Sequence, residues 1–126
     1  MNGPNKLLLD TNAVVALLQA DPAVVGFVRQ ASEVSISIVS VIEFLSFPKL
    51  PTAERERFLA FMETVAVIPL GGPADPAVSG AIALRRDTRL KLPDAVIAAA
   101  AQALDAALVT RDRHLQNVPG LRVLHF

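Results

Sequence analysis

Four acidic residues stand where a folded chain could gather them into one site. Asp10 follows the run Leu7-Leu8-Leu9, and Glu43 lies just beyond Val34 to Val39 and Ser40; Asp94 follows Pro93, and Asp112 comes shortly after Ala107-Leu108-Val109. Carboxylates brought close together repel and raise one another's pKa unless a cation compensates. Oxygen donors alone suit a hard octahedral ion, Mg²⁺ or Mn²⁺, better than zinc. One or two such ions can activate water and stabilise the oxygens of an in-line phosphoryl displacement. The chain has no cysteine, so disulfides, thiolate metal sites and a cysteine nucleophile are excluded. His114 and His125 are separated in sequence and give little support to a histidine acid/base pair.

Each acid also has an ordinary structural use. Asp10 can cap a helix starting near Ala13, and Asp112 can cap a short turn near Arg113 to Asn117. Asp94 suits the first turn of a helix and shares a face with Gln102 and Asp105, as a solvated stripe would. Glu43 completes an S-x-x-E capping box with Ser40, although its neighbours Val41, Ile42, Phe44 and Leu45 are apolar. Capping explains the acids one at a time. It does not explain why all four should fall at helix beginnings along one edge.

That edge follows from the order of elements. Short apolar runs at Lys6 to Leu9, Val34 to Val39, Val65 to Leu70, Ala107 to Val109 and Leu121 to Leu124 predict five strands. Helices are predicted at Ala13 to Ala20, Ala23 to Ala31, Ser40 to Phe47, Thr52 to Glu63, Pro76 to Leu90 and Pro93 to Ala106. Pro22, Pro48, Pro51, Gly71-Gly72-Pro73, Pro93 and Pro119-Gly120 punctuate them. Alternation of this kind implies an α/β fold with a five-stranded parallel sheet and helices on both faces. The 126 residues, 52% of them hydrophobic, fill one domain with one interior, and residues 1–5 are expected to be flexible. In such sheets ligands gather outside the carboxyl ends of the strands, where the order of connection reverses.

Other acids and motifs drop out. Asp105 lies about 16 Å along a helix from Asp94, too far to share a metal. Asp87, among Arg85, Arg86 and Arg89, is expected to pair with one of them, while Glu54, Glu56 and Glu63 share a solvated helix with Arg55 and Arg57. No G-x-G-x-x-G or G-x-x-x-x-G-K-[ST] supports a dinucleotide or P-loop site. The start of the chain lacks a signal-peptide layout, and the alanine-rich stretch Ala95 to Val109 is shorter than the ~20 apolar residues of a membrane span. A cytoplasmic protein without membrane association is expected.

The segments Leu8-Leu9-Asp10-Thr11-Asn12, Ser37 to Phe44, Leu92 to Ala99 and Val109-Thr110-Arg111-Asp112 together resemble the PIN domain, and within it the VapC toxins of VapBC toxin–antitoxin modules. The resemblance covers nearly the whole chain in the family's order. It implies a single PIN-like domain and a Mg²⁺- or Mn²⁺-dependent endoribonuclease, with Asp10, Glu43, Asp94 and Asp112 as both the metal ligands and the catalytic acids. Asn12 and Thr110 match positions that hydrogen-bond within such sites. Where PIN sequences often place another polar or acidic residue after the last aspartate, this chain has Arg113-His114. The family also implies a cytoplasmic homodimer, a VapB-type antitoxin covering the active-site groove, and operator DNA reached only through that antitoxin.

Arg111 and Arg113 flank Asp112, while Arg85, Arg86, Arg89 and Lys91 precede Asp94; the five arginines are candidate contacts for RNA phosphates. Without Trp or Tyr, and with six Phe mostly in apolar patterns, no stacking platform for single-stranded bases stands out, which favours a folded RNA. Twelve Lys and Arg balance twelve Asp and Glu. If four carboxylates belong to a metal site, eight acids face twelve bases elsewhere, a balance of +4. A catalytically silent PIN-like subunit of a DNA-binding repressor complex is the competing function. A phosphate-accepting receiver domain fits worse, for want of paired acids at the first strand and a lysine after the last.

Overall fold

Parallel strands cannot be joined by tight turns, so at least one helix stands between each strand of this chain and the next and carries the chain back across the sheet. The computed structural model describes residues 5–126. The strands are β1 (Lys6–Leu9), β2 (Glu33–Ser37), β3 (Ala66–Ile68), β4 (Ala107–Thr110) and β5 (Val123–His125). Between them run α1 (Thr11–Leu18), α2 (Pro22–Gln30), α3 (Ile38–Leu45), α4 (Thr52–Met62), α5 (Pro76–Asp87), α6 (Leu92–Ala103) and α7 (Arg113–Gln116). All neighbouring strands are parallel, in the order β3-β2-β1-β4-β5. The chain thus builds outward from β1 to β3, then returns to the other side of β1. The reversal lies between β1 and β4, where Leu9 pairs with Val109.

Helices on both faces require apolar residues on both faces of the central strands, which is why β1 reads Leu7-Leu8-Leu9 without alternation. Leu8 and Leu108 face one core with the small residues of α5 and α6 and with Leu115. Leu7, Leu9, Ile36 and Val109 face the other, with Val14, Val24, Phe44 and Phe58. The alanines of α6 serve close packing: Ala95 to Ala101 are buried throughout, and a Cβ at Gly80 of α5 would lie 3.2 Å from the Ala99 Cβ. Larger side chains would push the two helices apart. Among the described residues no single helix is long and apolar enough to cross a membrane; α1 and α2 have the apolar length only together and bend by 101° where they meet.

Several expected boundaries move, each for a local reason. The second strand stops at Ser37 rather than Val39, because the Ser37 hydroxyl accepts from Val39 N at 3.1 Å and starts α3 there. Ser40 is therefore inside the helix and Glu43 lies more than a turn in, so the expected capping box does not form. Helix α1 begins at Thr11 rather than Ala13, with Asp10 as its cap. Helix α6 ends at Ala103; Asp105 then takes φ of 53° and pairs with Arg122 at 3.2 Å, off the helix on which it was expected. Strand β3 is shorter than expected and β5 begins two residues later. Of the leading residues taken as flexible, 1–4 lie outside the described residues, whereas the Asn5 carbonyl accepts from Ser32 N at 2.9 Å.

Phe58 of α4 is fully buried and stacks on Phe44 of α3 with ring centroids 4.1 Å apart. This contact seats the helix that carries Glu43. Phe58→Ala removes the ring and leaves a cavity, and should cost about 3–5 kcal/mol in a urea unfolding titration. A loss below about 1 kcal/mol would mean that α3 is held from elsewhere.

Candidate active site at the carboxyl edge of the sheet

The sheet reversal brings the residues after β1 and β4 side by side. Asp10 N donates to Val109 O at 3.2 Å, extending the ladder one step past the strand ends. The Asp10 side chain is 6% exposed, and its Oδ1 accepts from Ala13 N at 2.7 Å. Thr110, fully buried, stands between two of the acids: its hydroxyl oxygen accepts from Asp112 N at 3.0 Å, and the hydroxyl favours the charged form of the Asp10 carboxylate beside it. Asp112 Oδ1 accepts from His114 N at 2.9 Å and caps α7. The ordinary capping role is thus real for both residues. Each cap uses Oδ1, so a cap and a second role at the other oxygen can coexist.

Glu43 enters from α3 and is held by a residue that the sequence did not single out. Thr11 Oγ1, in the first turn of α1, lies 2.6 Å from Glu43 Oε1 and 3.1 Å from Ser40 Oγ. The hydroxyl has one proton, which the carboxylate takes, so the buried Ser40 hydroxyl donates to Thr11 in turn. The signal for Thr11 was its place directly after Asp10; its partners depend on how α1 packs against α3. Asn12 is exposed and enters none of the hydrogen bonds that tie the acids together.

Asp94 sits half-buried in the first turn of α6. Burial raises its pKa, and the charges of Asp112 and Glu43 raise it further against the opposing pull of Lys91 and His114. Burial likewise raises Asp10, with Asp94 and Asp112 adding to the rise while the Thr110 and Ala13 hydrogen bonds oppose it. Asp94 is thus within electrostatic reach of Asp10, Asp112 and Glu43, and Asp10 within reach of Asp112, across the sheet edge. Among the described residues no three acidic or imidazole groups stand close enough to enclose an ion by themselves. The four acids offer oxygen donors alone, a donor set that suits a hard ion keeping several waters better than a closed protein cage of the zinc type.

The remaining expectations separate by location. Arg89 lines a cleft with Asp94, Asp112, Lys91, His114 and Asn117. Arg85 donates to Leu90 O at 3.0 Å and, with Arg86, lines a different, apolar groove with Leu70, Ile82 and Leu92. The Arg111 guanidinium lies 4.6 Å over the Phe126 ring, and Arg113 is exposed on α7. Asp87, expected to pair with a neighbouring arginine, makes no ion pair among the described residues; Arg85, two residues before it, is turned to the Leu90 carbonyl instead.

A family model described as "PIN domain" matches residues 7–121. No curated protein sequence matches significantly. Among solved structures, VapBC2 from Rickettsia felis, bound to a promoter DNA fragment, superposes with a TM-score of 0.81 at 18% identity, covering 96% of this chain and 98% of that one. DNA-bound VapBC from Salmonella typhimurium gives 0.79 at 20% identity, with 96% and 98% covered. A toxin–antitoxin complex from Klebsiella pneumoniae gives 0.76 at 26% identity, with 94% and 95% covered. These likenesses establish the fold.

The raised carboxyls carry a pH signature. A carboxyl whose folded pKa lies above its ordinary value of 3.8 binds its proton more tightly in the folded chain, so the metal-free protein loses stability as pH rises from 3.8 through the raised pKa. Asp10→Asn keeps an N-cap acceptor and removes one charge. In metal-free buffer at pH 7 its Tm should rise by roughly 2–6 °C, and the gain should vanish below the ordinary carboxyl pKa. A variant less stable than the parent at pH 7 would contradict the mutual repulsion.

Proposed function

Because the chain belongs to the PIN domain family, we propose that it is a metal-dependent endoribonuclease, the toxin of a toxin–antitoxin pair. PIN domains are generally nucleases. The observation that supports the reading most directly is the convergence at the sheet reversal of Asp94 with Asp10, Glu43 and Asp112, each close enough to act on its charge. These four residues would hold Mg²⁺ or Mn²⁺. When bound, the ion supplies a water of lowered pKa and neutralises charge on the phosphate oxygens.

The chain's own residues prepare that site. Ala13 N holds the Asp10 carboxylate, and the Thr110 hydroxyl holds the backbone of Asp112. Thr11 orients Glu43 by binding Oε1, leaving Oε2 for the site. Leu8, Leu9 and Val109 beneath are buried, so the floor of the site cannot shift without disturbing both cores. Asp10, Asp94 and Asp112 then act as a preorganised set, which lowers the reorganisation needed during phosphoryl displacement.

The complexes from Rickettsia, Salmonella and Klebsiella support the choice of partners: a VapB-type antitoxin, with operator DNA bound through it. Zero formal charge gives the chain no overall field for DNA of its own. A homodimer fits the apolar groove between α5 and α6, where Ile82 and Leu92 are 56% and 59% exposed beside Leu70. The cytoplasm, where RNA and antitoxin are made, is the proposed compartment.

Asp10→Asn or a chelator should lower RNA cleavage by about a thousandfold or more while the far-UV spectrum is kept, and the products should carry 5′ phosphates. A 2′,3′-cyclic phosphate formed in the presence of chelator would instead mean attack by the RNA's own 2′-hydroxyl. A broad RNA pool left intact with Mn²⁺, while cleavage-null variants keep their biological effect, would establish the silent repressor subunit. Sedimentation should show a dimer that Ile82→Asp converts to monomer; a parent that sediments as a monomer would refute the dimer.

A further inference from the structure

Beside Asp94 and Asp112 lies a cleft of about 620 Å³, within the usual range for small-ligand sites. The connection from α5 to α6 supplies Arg89 and Lys91 to one wall, and α7 with the residue after it supplies His114 and Asn117 to the other. Leu90 and Val118, 7% and 5% exposed, contribute apolar surface. The cationic wall is not a loose loop: the Thr88 hydroxyl donates to Leu84 O and accepts from Leu90 N at 3.2 Å, fixing the chain where it turns into Arg89.

Cations on one wall, an amide that both donates and accepts on the other, and apolar surface between them match the parts of one nucleotide: phosphate, base edge and sugar. We infer that this cleft is a single-nucleotide subsite, which takes the nucleotide next to the scissile phosphate, with Lys91 and Arg89 on its phosphate and Asn117 on its base. The inference rests on the nuclease reading for what it says about the scissile phosphate. It assigns base preference to hydrogen bonding by Asn117, since no Phe, Tyr or Trp lines the cleft and stacking on the His114 ring would hold every base alike. Lys91 suits mutation because it is exposed and its side chain makes no cap bond to α6.

The test is titration of the full chain in Mg²⁺ with the four nucleoside 5′-monophosphates, which contain no phosphodiester to cleave, and with inorganic phosphate, followed by amide chemical shifts. Shifts should cluster at residues 88–94 and 112–118. Lys91→Ala should weaken mononucleotide binding about five- to tenfold, and Asn117→Ala should level the affinities of the four bases. Inorganic phosphate should bind at least several-fold more weakly than the preferred mononucleotide. Phosphate binding as tightly as every mononucleotide, or unchanged binding by both variants, would overturn the subsite. If mononucleotides bind as expected while RNA with Mn²⁺ stays intact, the nuclease reading fails and the nucleotide site stands. If RNA is cleaved and both variants keep the parent KM and base ranking, the reading stands and the subsite falls.

Discussion

The unfavourable burial of Asp10 sets the terms for the rest of this structure. A carboxylate that is 6% exposed, next to the charges of Asp94 and Asp112, costs free energy that the surrounding packing must offset. The offset comes from two buried layers on either side of β1 and β4, together with the hydrogen bond from Ala13 N. The sheet order then does what no single helix could. By reversing between β1 and β4 it places the ends of two strands, and the helices that start there, around one point.

Different parts of the sequence meet that demand in different ways. The alanines of α6 let it lie close to the sheet and to α5, which brings the first turn with Asp94 up to the edge. The aromatic stack of Phe44 and Phe58 anchors α3, and through it Glu43. Thr11 holds the Glu43 carboxylate and Thr110 the backbone of Asp112 against a repulsion that would otherwise spread the acids. Repulsion held in place by packing would favour the proposed divalent ion, which relieves it on binding.

The parallel sheet was legible because runs such as Leu7-Leu8-Leu9 and Ala107-Leu108-Val109 do not alternate, and because helix-breaking residues separate the elements. Asp10 and Asp112 could be read from their places directly after strands. Glu43 could be read from its place after the second strand, but the ordinary role weighed against it was mistaken: S-x-x-E suggests a cap at Ser40, whereas Ser37 caps the helix one turn earlier, and the β-branched Ile38 and Val39 disguise that turn as strand. Thr11 was not legible in its role, because the partners of a hydroxyl are fixed by how two helices pack. The arginines show the same limit: four residues separate Arg85 from Arg89, yet they line different surfaces.

The central claim, that Asp10, Glu43, Asp94 and Asp112 form one divalent-cation site, is tested most directly by anomalous diffraction from crystals grown with Mn²⁺. A manganese peak among these carboxylates, lost in Asp10→Asn, is the expected result. Crystals saturated with Mn²⁺ that show no peak there, or show the strongest peak at other residues, would contradict it.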